Sequence, residues 1–239
     1  MSSPQHPAEP DTGSTGPNAS VPRAAPPTET RRQRQRRELT EEIVGSALSH
    51  LDAGGPGQVS WRQIAREVGM NPASLYTYFA SLDDLFTALI TECFGQLSRE
   101  VAGALELAVD EPPRARLLAA VLAYRTWAVE HPRRFNLVWT DQLIDFAAPA
   151  DGPTSDAEWE IYRLLLGPLS ELSTTTPERV ELADLGPVPR DQLQWFIGLF
   201  ASIHGLVTLE VNHHLPRHVL DVEACLVNQL EQALAHLPG

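Results

Sequence analysis

The fold is decided by a stretch in the first third of the chain, Val59-Ser60-Trp61-Arg62-Gln63-Ile64-Ala65-Arg66-Glu67-Val68-Gly69, followed after Met70 by Asn71-Pro72-Ala73-Ser74-Leu75-Tyr76-Thr77-Tyr78-Phe79. Ser60 and Gln63 have the spacing of a capping box, which predicts the start of a helix. Gly69 suits a turn that needs a positive φ. Asn71 and Pro72 predict a second helix start, because the N–H that proline lacks has no helical partner there. Two short helices joined by a glycine turn are typical of a helix-turn-helix, whose second helix enters the major groove of DNA.

Helices are also predicted on both sides of this stretch. Thr40 is a candidate N-cap, with Glu41 and Glu42 in the first turn, where the helix dipole favours acidic side chains. The glycine-rich residues 54–57 would end this helix. Ser81 is a candidate N-cap for the helix that follows the motif. The apolar residues at helical spacing that would pack this small domain are Ile43, Ala47, Leu48, Leu51, Ile64, Val68, Met70, Leu75 and Phe79.

The charge of the chain is divided unevenly along its length. The 239 residues carry 18 basic and 31 acidic side chains, a formal net charge of −13, and such a surface on average repels nucleic acid. Residues 31–80, however, hold seven arginines against five acids, whereas residues 81–239 hold ten against 23. Five of these arginines lie within residues 31–37. That run is either a solvated charge run or an arm that neutralises phosphates or enters a minor groove, and the adjoining motif favours DNA.

The remaining composition mostly excludes other classes of protein. Residues 1–30 contain seven prolines among small polar residues, which predicts a disordered tail. No apolar run approaches the ~20 residues of a membrane span, and no secretory signal is visible. Cys93 and Cys225 form no redox or zinc motif, so we expect a cytoplasmic protein without a cofactor. Glu210, His213, His214 and His218 have metal-like spacing, but an intervening proline makes solvated histidines the better interpretation.

The helix-turn-helix stretch resembles the DNA-binding domain of the tetracycline-repressor (TetR) family over about residues 40–86, particularly in the string Leu75-Tyr76-Thr77-Tyr78-Phe79. The resemblance implies an all-α protein of about nine helices, with a three-helix DNA-binding domain and a helical effector-binding and dimerisation bundle. It also implies a homodimeric repressor, not an enzyme, that binds a palindromic operator and is released by a small apolar effector. The domains would be a tail over 1–30, a basic arm over 31–37, the DNA-binding domain over 38–86 and the bundle over 87–239.

Ten residues are candidate DNA contacts: Arg36, Arg37, Ser60, Trp61, Arg62, Ala73, Ser74, Tyr76, Thr77 and Tyr78. Arg62 could bridge guanine O6 and N7, and Ala73 and the Thr77 methyl could meet thymine methyls. Ser60, Trp61 and the two tyrosines would donate to phosphates, and the alternative for each tyrosine is a half-buried wedge in the domain core. Members of the family commonly carry a phosphate-binding lysine where this chain has Leu82, so we expect the arm, Arg62 and Arg66 to supply most of the phosphate attraction.

The acidic part of the chain predicts further helices over about 82–107, 117–130, 133–146, 155–172, 190–212 and 217–237, with a long loop over 173–189. Ser155 and Glu158 have the spacing of a capping box for the fourth of these. A weaker resemblance to a C-terminal domain of TetR-type regulators lies in Tyr124-x-x-Trp127-x-x-x-His131-Pro132-x-x-Phe135 and Trp195-x-x-x-x-Phe200-x-x-x-His204-Gly205-Leu206. Both begin with an aromatic residue and include a histidine.

Large side chains with polar groups in this region predict an effector pocket: Trp127, Trp139, Trp159, Tyr162, Trp195, Phe200 and His204. The alternative is that most of them fill the core. The last two helices carry apolar stripes that are candidates for a four-helix dimer interface: Leu199, Ile203, Leu206, Leu226, Leu230 and Leu234. These too could be intramolecular core. An alternative function for the whole chain is a non-specific architectural DNA-binding protein with an inert dimerisation body.

Overall fold

The computed structural model describes residues 30–139, 152–172, 179–182, 186–216 and 221–237. Within these residues nine α-helices form the fold, as predicted: α1 Arg31–Gly54, α2 Trp61–Glu67, α3 Pro72–Leu75, α4 Leu82–Leu107, α5 Pro113–Glu130, α6 Pro132–Trp139, α7 Pro153–Ser170, α8 Arg190–Val211 and α9 Val222–Ala235. A short 3-10 turn over Pro56–Gln58 follows α1. Two strands, β1 Arg179–Leu182 and β2 Gly186–Pro189, pair antiparallel. The expectation of a long loop over 173–189 is therefore wrong for these eight residues, which form two strands.

Helix α1 begins ten residues earlier than the sequence predicts. Thr30 is its N-cap and forms a complete capping box with Gln33, whose backbone N–H donates to the Thr30 hydroxyl. The prediction of Thr40 as the N-cap is wrong, because Thr40 lies inside the helix and its hydroxyl donates to the carbonyl of Arg36 at 2.9 Å. Arginine, glutamine and glutamate are good helix formers, so the helix extends back to the earlier box. The run 31–37 is accordingly the first two turns of α1.

The helix-turn-helix is formed by α2, α3 and the turn between them. Gly69 has a φ of +68°, which confirms the predicted glycine turn. Asn71 caps α3 by accepting a hydrogen bond from the N–H of Ala73 at 2.9 Å, also as predicted. Ser60 occupies the N-cap position of α2, but its side chain accepts no capping hydrogen bond, so the capping box with Gln63 is not formed. Helix α3 is a single turn, and the chain continues to Phe79 in turns.

The body is organised around α4. The hydroxyl of Ser81 accepts a hydrogen bond from the N–H of Asp84 at 3.1 Å, so the predicted cap is confirmed, and the helix then continues from the DNA-binding domain into the body. Helix α4 packs against α5 and α7, and α5 packs in turn against α8 and α9. Helix α7 begins at Pro153 after Gly152. The predicted capping box at Ser155 is therefore wrong, because proline provides a favourable first helical residue two positions earlier.

Helices α8 and α9 pack against each other at one side of the body. By length and composition, α8 is the only helix in the described part of the chain that could cross a membrane. A core helix meets the same criteria, and here Phe196, Ile203 and Val207 of α8 are buried in the hydrophobic core. Its opposite side leaves Ile197 and Leu209 on the surface.

Candidate functional site

One face of the helix-turn-helix presents most of the candidate DNA contacts. Arg62, Ala73 and Thr77 are exposed, and Tyr76 is 55% exposed. The candidates that lie half-buried beside them are Ser60, Trp61, Ser74 and Tyr78. The rings of Trp61 and Tyr76 lie 5.6 Å apart and join α2 to the end of α3. All eight of these side chains are therefore exposed or half-buried in the helix-turn-helix, and Trp61 with Tyr76 brings its two helices together.

The first turns of α1 contact this surface through Arg36. Its guanidinium donates to the carbonyl of Thr77 at 2.8 Å and lies over the ring of Tyr78, 5.3 Å from the ring centroid. Arg37 instead donates to Glu41, one turn along the same helix. The sequence predicted DNA contacts for both arginines, and Arg36 has an intramolecular partner in the domain that it adjoins.

A polar group that sequence reasoning missed joins α1 to α2. Glu67 accepts a hydrogen bond from the hydroxyl of Ser46 at 2.5 Å and lies 3.0 Å from Nε2 of His50. The hydrogen bond from Ser46 lowers the pKa of the Glu67 carboxyl, and His50 acts in the same direction. The only sequence signal was the spacing of Ser46 and His50, which places both on one face of α1.

An aromatic cage lies at the centre of the body, where α5, α6, α7 and α8 meet. We define it by Tyr124, Phe135, Trp139, Tyr162, Phe200 and His204. The Tyr124 hydroxyl lies 2.8 Å from Nδ1 of His204, and the Thr208 hydroxyl lies 3.3 Å from Nε2. The His204 ring stacks on Phe200 with centroids 5.7 Å apart. The cage therefore combines ring faces with a small number of hydrogen-bonding groups.

Burial shifts the pKa of each titratable group in the cage in the direction that favours its neutral form. Burial lowers the pKa of His204 and raises the pKa of Tyr124 well above its usual value. Burial also raises the pKa of Tyr162, whose hydroxyl donates to Glu158 at 2.6 Å. A neutral imidazole can accept at one nitrogen and donate at the other, and hydroxyl groups can do either. The interior of the cage accordingly offers hydrogen bonds without a formal charge.

Four of the seven residues predicted to bind an effector belong to this cage: Trp139, Tyr162, Phe200 and His204. Trp159 lies at its edge, 5.5 Å from Tyr162, and is 38% exposed. The other two lie elsewhere, since Trp127 packs on His131 and the indole N–H of Trp195 donates to the carbonyl of Ala233. Tyr124 and Phe135 were absent from the predicted set, although both stand in the motif that suggested the pocket.

Among the described residues, little free space lies beside the aromatic cage. A cavity of about 10 Å³ adjoins it, lined by Leu117, Val121, Tyr124, Leu165, Phe196, Leu199, Phe200 and Ile203. That volume holds about one water molecule. A ligand of drug-like size would need several hundred Å³, so it could enter only if rings of the cage moved apart.

Two larger openings lie outside the cage. A groove of about 700 Å³ runs between α1 and α4, and a cleft of about 500 Å³ lies beside Arg125 and Glu210. Glu210 accepts two hydrogen bonds from Arg125, at 2.6 and 2.8 Å, which raise the pKa of that arginine. No group of three possible metal ligands occurs in the part of the chain that the structure describes. His218 lies outside that part.

Helix α6 connects the cage to the DNA-binding domain. Phe135 and Trp139 of α6 form part of the cage, and Arg134, the residue before Phe135, makes a fork to Asp52 of α1, with contacts of 2.5 to 3.2 Å. A further nitrogen of Arg134 donates to Gln96 of α4 at 2.6 Å. Hydrogen bonding to Asp52 raises the pKa of Arg134. The short helix α6 thus contacts the cage, helix α4 and the DNA-binding domain.

The structure places most of the predicted dimer-interface residues inside the subunit. Leu199, Ile203, Leu226 and Leu230 are at most 7% exposed, and Leu206 and Leu234 are partly buried. The first four pack the core, so they have almost no surface to offer a partner. The apolar surface of α8 consists instead of Ile197, 57% exposed, and Leu209, 43% exposed, with exposed Gly198, Ala201 and Ser202 between them.

A helix-turn-helix joined to a helical body is typical of DNA-binding transcriptional regulators. Residues 43–89 match the model for bacterial regulatory proteins of the tetR family, and residues 117–233 match the tetracyclin repressor-like C-terminal domain. Together the two models match well over half of the chain. The chain belongs to the TetR family of transcriptional regulators.

Individual relatives agree with this assignment. The helix-turn-helix-type transcriptional regulator Rv1816 of Mycobacterium tuberculosis is 31% identical over 121 residues, which are 51% of this chain and 52% of the relative. The chain thus spans about half the length of the curated relatives it matches. The solved regulatory protein SCO4313 has a TM-score of 0.70 at 22% identity, covering 86% of this chain and 100% of that one. A TetR transcriptional regulator from Rhodococcus sp. RHA1 has a TM-score of 0.58 at 15% identity, covering 85% and 99%. The two structures show a shared fold.

Proposed function

We propose that the protein is a cytoplasmic repressor that binds a palindromic operator as a homodimer and leaves it when a small apolar effector opens the aromatic cage. The observation that carries this proposal is the position of α6, which contributes Phe135 and Trp139 to the cage and joins Arg134 to Asp52 of the DNA-binding domain. A ligand can shift DNA affinity only if it favours one arrangement of the two sites over another. A filled cage and an opened cage provide two such arrangements.

In the complex with DNA, the exposed face of α2 and α3 would lie in the major groove. Arg62 is exposed at the start of α2, in a position to bridge the O6 and N7 atoms of a guanine. Ala73 and Thr77 are exposed on the same face and offer methyl groups to thymine. Tyr76, whose ring is held against Trp61, would donate to a phosphate and fix the register of the helix on the duplex.

The effector would be a neutral, largely apolar molecule. The walls of the cage are ring faces, and its hydrogen-bonding groups are the uncharged hydroxyl of Tyr124 and the uncharged imidazole of His204. A formal charge on the ligand would be buried without a counterion among these groups, and such burial is costly. Because the cavity is only about 10 Å³ in the free protein, binding would require Trp139 or Phe200 to move.

The homodimer would form through the exposed side of α8 around Ile197 and Leu209. Glycine, alanine and serine between them leave room for the same helix of a second subunit to approach closely. A twofold axis at this interface would use the same surface of both subunits. It would also place the two recognition helices on half-sites about one helical turn, ~34 Å, or a multiple of it apart.

The proposal is tested by selecting duplexes that bind the protein from a random DNA library and by footprinting the selected sequences. We expect one palindromic sequence with two protected half-sites. The Arg62→Ala variant should lose about 1–3 kcal/mol of binding energy and tolerate changes at one base pair of each half-site, because a bidentate arginine–guanine contact is worth that much. Diffuse protection of any duplex would contradict the proposal and indicate the architectural function instead.

Release by an effector is tested separately on the same duplex. A set of neutral aromatic compounds is added to the protein–DNA complex, and the fraction bound is followed by fluorescence anisotropy. We expect at least one compound to release the DNA from the native protein and to lose this effect in the Trp139→Ala variant. The Trp195→Phe variant is the matched control, because Trp195 lies outside the cage and bonds to Ala233. Equal loss in both variants would argue against the cage as the effector site.

A further inference from the structure

We propose that Arg36 positions the recognition helix instead of contacting DNA: its side chain holds the C-terminal end of that helix in the orientation that fits the groove. The inference rests on the proposed operator binding through α2 and α3. The arginine-rich start of α1 would then have two roles. Arg36 makes contacts within the protein, and the neighbouring arginines attract the phosphates of DNA.

The recognition helix needs such support because it is short. Helix α3 has four residues, Pro72–Leu75, and Tyr78 and Phe79 both donate their backbone N–H groups to the single carbonyl of Leu75. The carbonyls that follow at the end of a helix have no helical partner and need a hydrogen bond from elsewhere. Arg36 supplies one to Thr77 at 2.8 Å from another helix.

The guanidinium of Arg36 also covers the ring beside that carbonyl. It lies 5.3 Å from the centroid of Tyr78, within the range of a cation–π contact. The two contacts together hold two consecutive residues, Thr77 and Tyr78, which follow directly on exposed Tyr76. We call these two contacts of Arg36 the clamp. Both Thr77 and Tyr78 are candidate DNA contacts, so the clamp acts on residues whose placement on the duplex matters.

Helix α1 holds Arg36 in place from both sides. The capping box of Thr30 and Gln33 fixes the turn before it, and the Thr40 hydroxyl donates to the Arg36 carbonyl one turn later. Arg36 lies seven residues before buried Ile43, on the same face of α1. Arg34 lies on the opposite face, and its side chain makes no hydrogen bond or ion pair to any residue that the structure describes. The match to the tetR-family model begins only at residue 43, after this segment.

The first experiment measures the clamp without DNA. Hydrogen–deuterium exchange is followed by mass spectrometry in the native protein, in Arg36→Ala and in Arg34→Ala, which lose the same charge. We expect exchange of the backbone amides of residues 76–79 to become about tenfold faster in Arg36→Ala, since a hydrogen bond from a charged group is lost. Arg34→Ala should exchange like the native protein. Equal exchange in all three proteins would overturn the proposal whether or not an operator exists.

The second experiment separates positioning from phosphate contact. Affinities for the selected duplex and for a scrambled duplex are measured between 50 and 300 mM KCl. We expect Arg36→Ala to bind the selected duplex roughly tenfold more weakly, with an unchanged salt slope and an unchanged affinity for the scrambled duplex. A phosphate contact predicts the opposite: the slope of log K against log salt would become shallower by about 0.9, and both duplexes would bind more weakly. That result would overturn the proposal.

Discussion

The hydroxyl of Tyr124 lies 2.8 Å from Nδ1 of His204, although 80 residues separate them in the chain. Tyr124 is 1% exposed, and its ring contacts Phe135, Phe200 and His204, so this pair ties α5 to α8 inside the aromatic cage. Burial disfavours the charged form of each ring, so it lowers the pKa of His204 and raises the pKa of Tyr124. This has a measurable consequence for stability.

Acid should destabilise the protein partly through His204. Burial lowers the pKa of His204 below its usual 6.5, so the unfolded chain takes up this proton first as the pH falls. The free energy of unfolding should therefore decrease from about pH 6.5 down to the lower pKa of the folded protein. Urea denaturation at pH 7.5 and pH 5 should show a smaller decrease in His204→Gln than in the native protein. An equal decrease would mean that His204 titrates normally in the folded chain.

Arg134→Ala should weaken the contact between the body and the DNA-binding domain. Its side chain is 18% exposed and Asp52 is 39% exposed, so the ion pair is intermediate between surface and buried pairs. We expect the free energy of unfolding to fall by about 1–2 kcal/mol. Arg133→Ala, a neighbouring exposed position, should change it by less than about 0.5 kcal/mol. The check is chemical denaturation followed by circular dichroism, and equal effects at both positions would exclude a special role for Arg134.

Two glycine substitutions should change stability in opposite directions. Gly69→Ala places a side chain at a φ of +68°, and although nothing lies within 4 Å of the new methyl, the backbone strain should cost about 1 kcal/mol. Gly45→Ala lies in the middle of α1, also with nothing within 4 Å, and should stabilise the protein by about 0.5–1 kcal/mol. Thermal unfolding of the two variants measures both. A stabilised Gly69→Ala would contradict the assigned turn conformation.

The proposed dimer interface predicts the effect of a charge on α8. Ile197→Asp would bury two unpaired carboxylates at a twofold interface, so the dissociation constant should rise by at least about 100-fold. Size-exclusion chromatography with light scattering should then give the mass of one 26.3 kDa chain instead of two. Leu107→Asp is the control, since Leu107 is 93% exposed at the end of α4. A mutant at position 197 that stays dimeric would place the interface elsewhere.

Much of the DNA-binding domain could be predicted from the sequence, because its helix caps and its turn depend on residues close together in the chain. Asn71, Ser81 and Gly69 act within four residues of their own positions, so their roles as caps and turn were predictable. The start of α1 was not, because Thr30 and Thr40 both offer an N-cap and the choice depends on the helix propensity of the residues between them. The clamp of Arg36 joins residues 41 positions apart, and no local pattern indicates it.

The body was predicted less completely, because an apolar pattern predicts that a residue is buried but not which surface it packs against. A leucine stripe on a helix predicts burial but does not say against what, so Leu226 and Leu230 fitted a dimer interface as well as the subunit core in which they lie. The same holds for Trp127 and Trp195, which are aromatic residues at helical spacing but lie outside the cage. Residues 140–146, predicted to continue the helix after Arg133, lie outside the described part of the chain.

Helix α1 carries contacts near both of its ends, at Arg36 and at Asp52. Sixteen residues of α-helix separate them, a distance of about 24 Å along the axis. A tilt of α1 by about 5° around Asp52 would displace Arg36 by about 2 Å over that length. A change of that size breaks a hydrogen bond. A ligand that changed the tilt of α1 through Arg134 would thus alter the contact of Arg36 with Thr77, the residue pair at the far end of the helix.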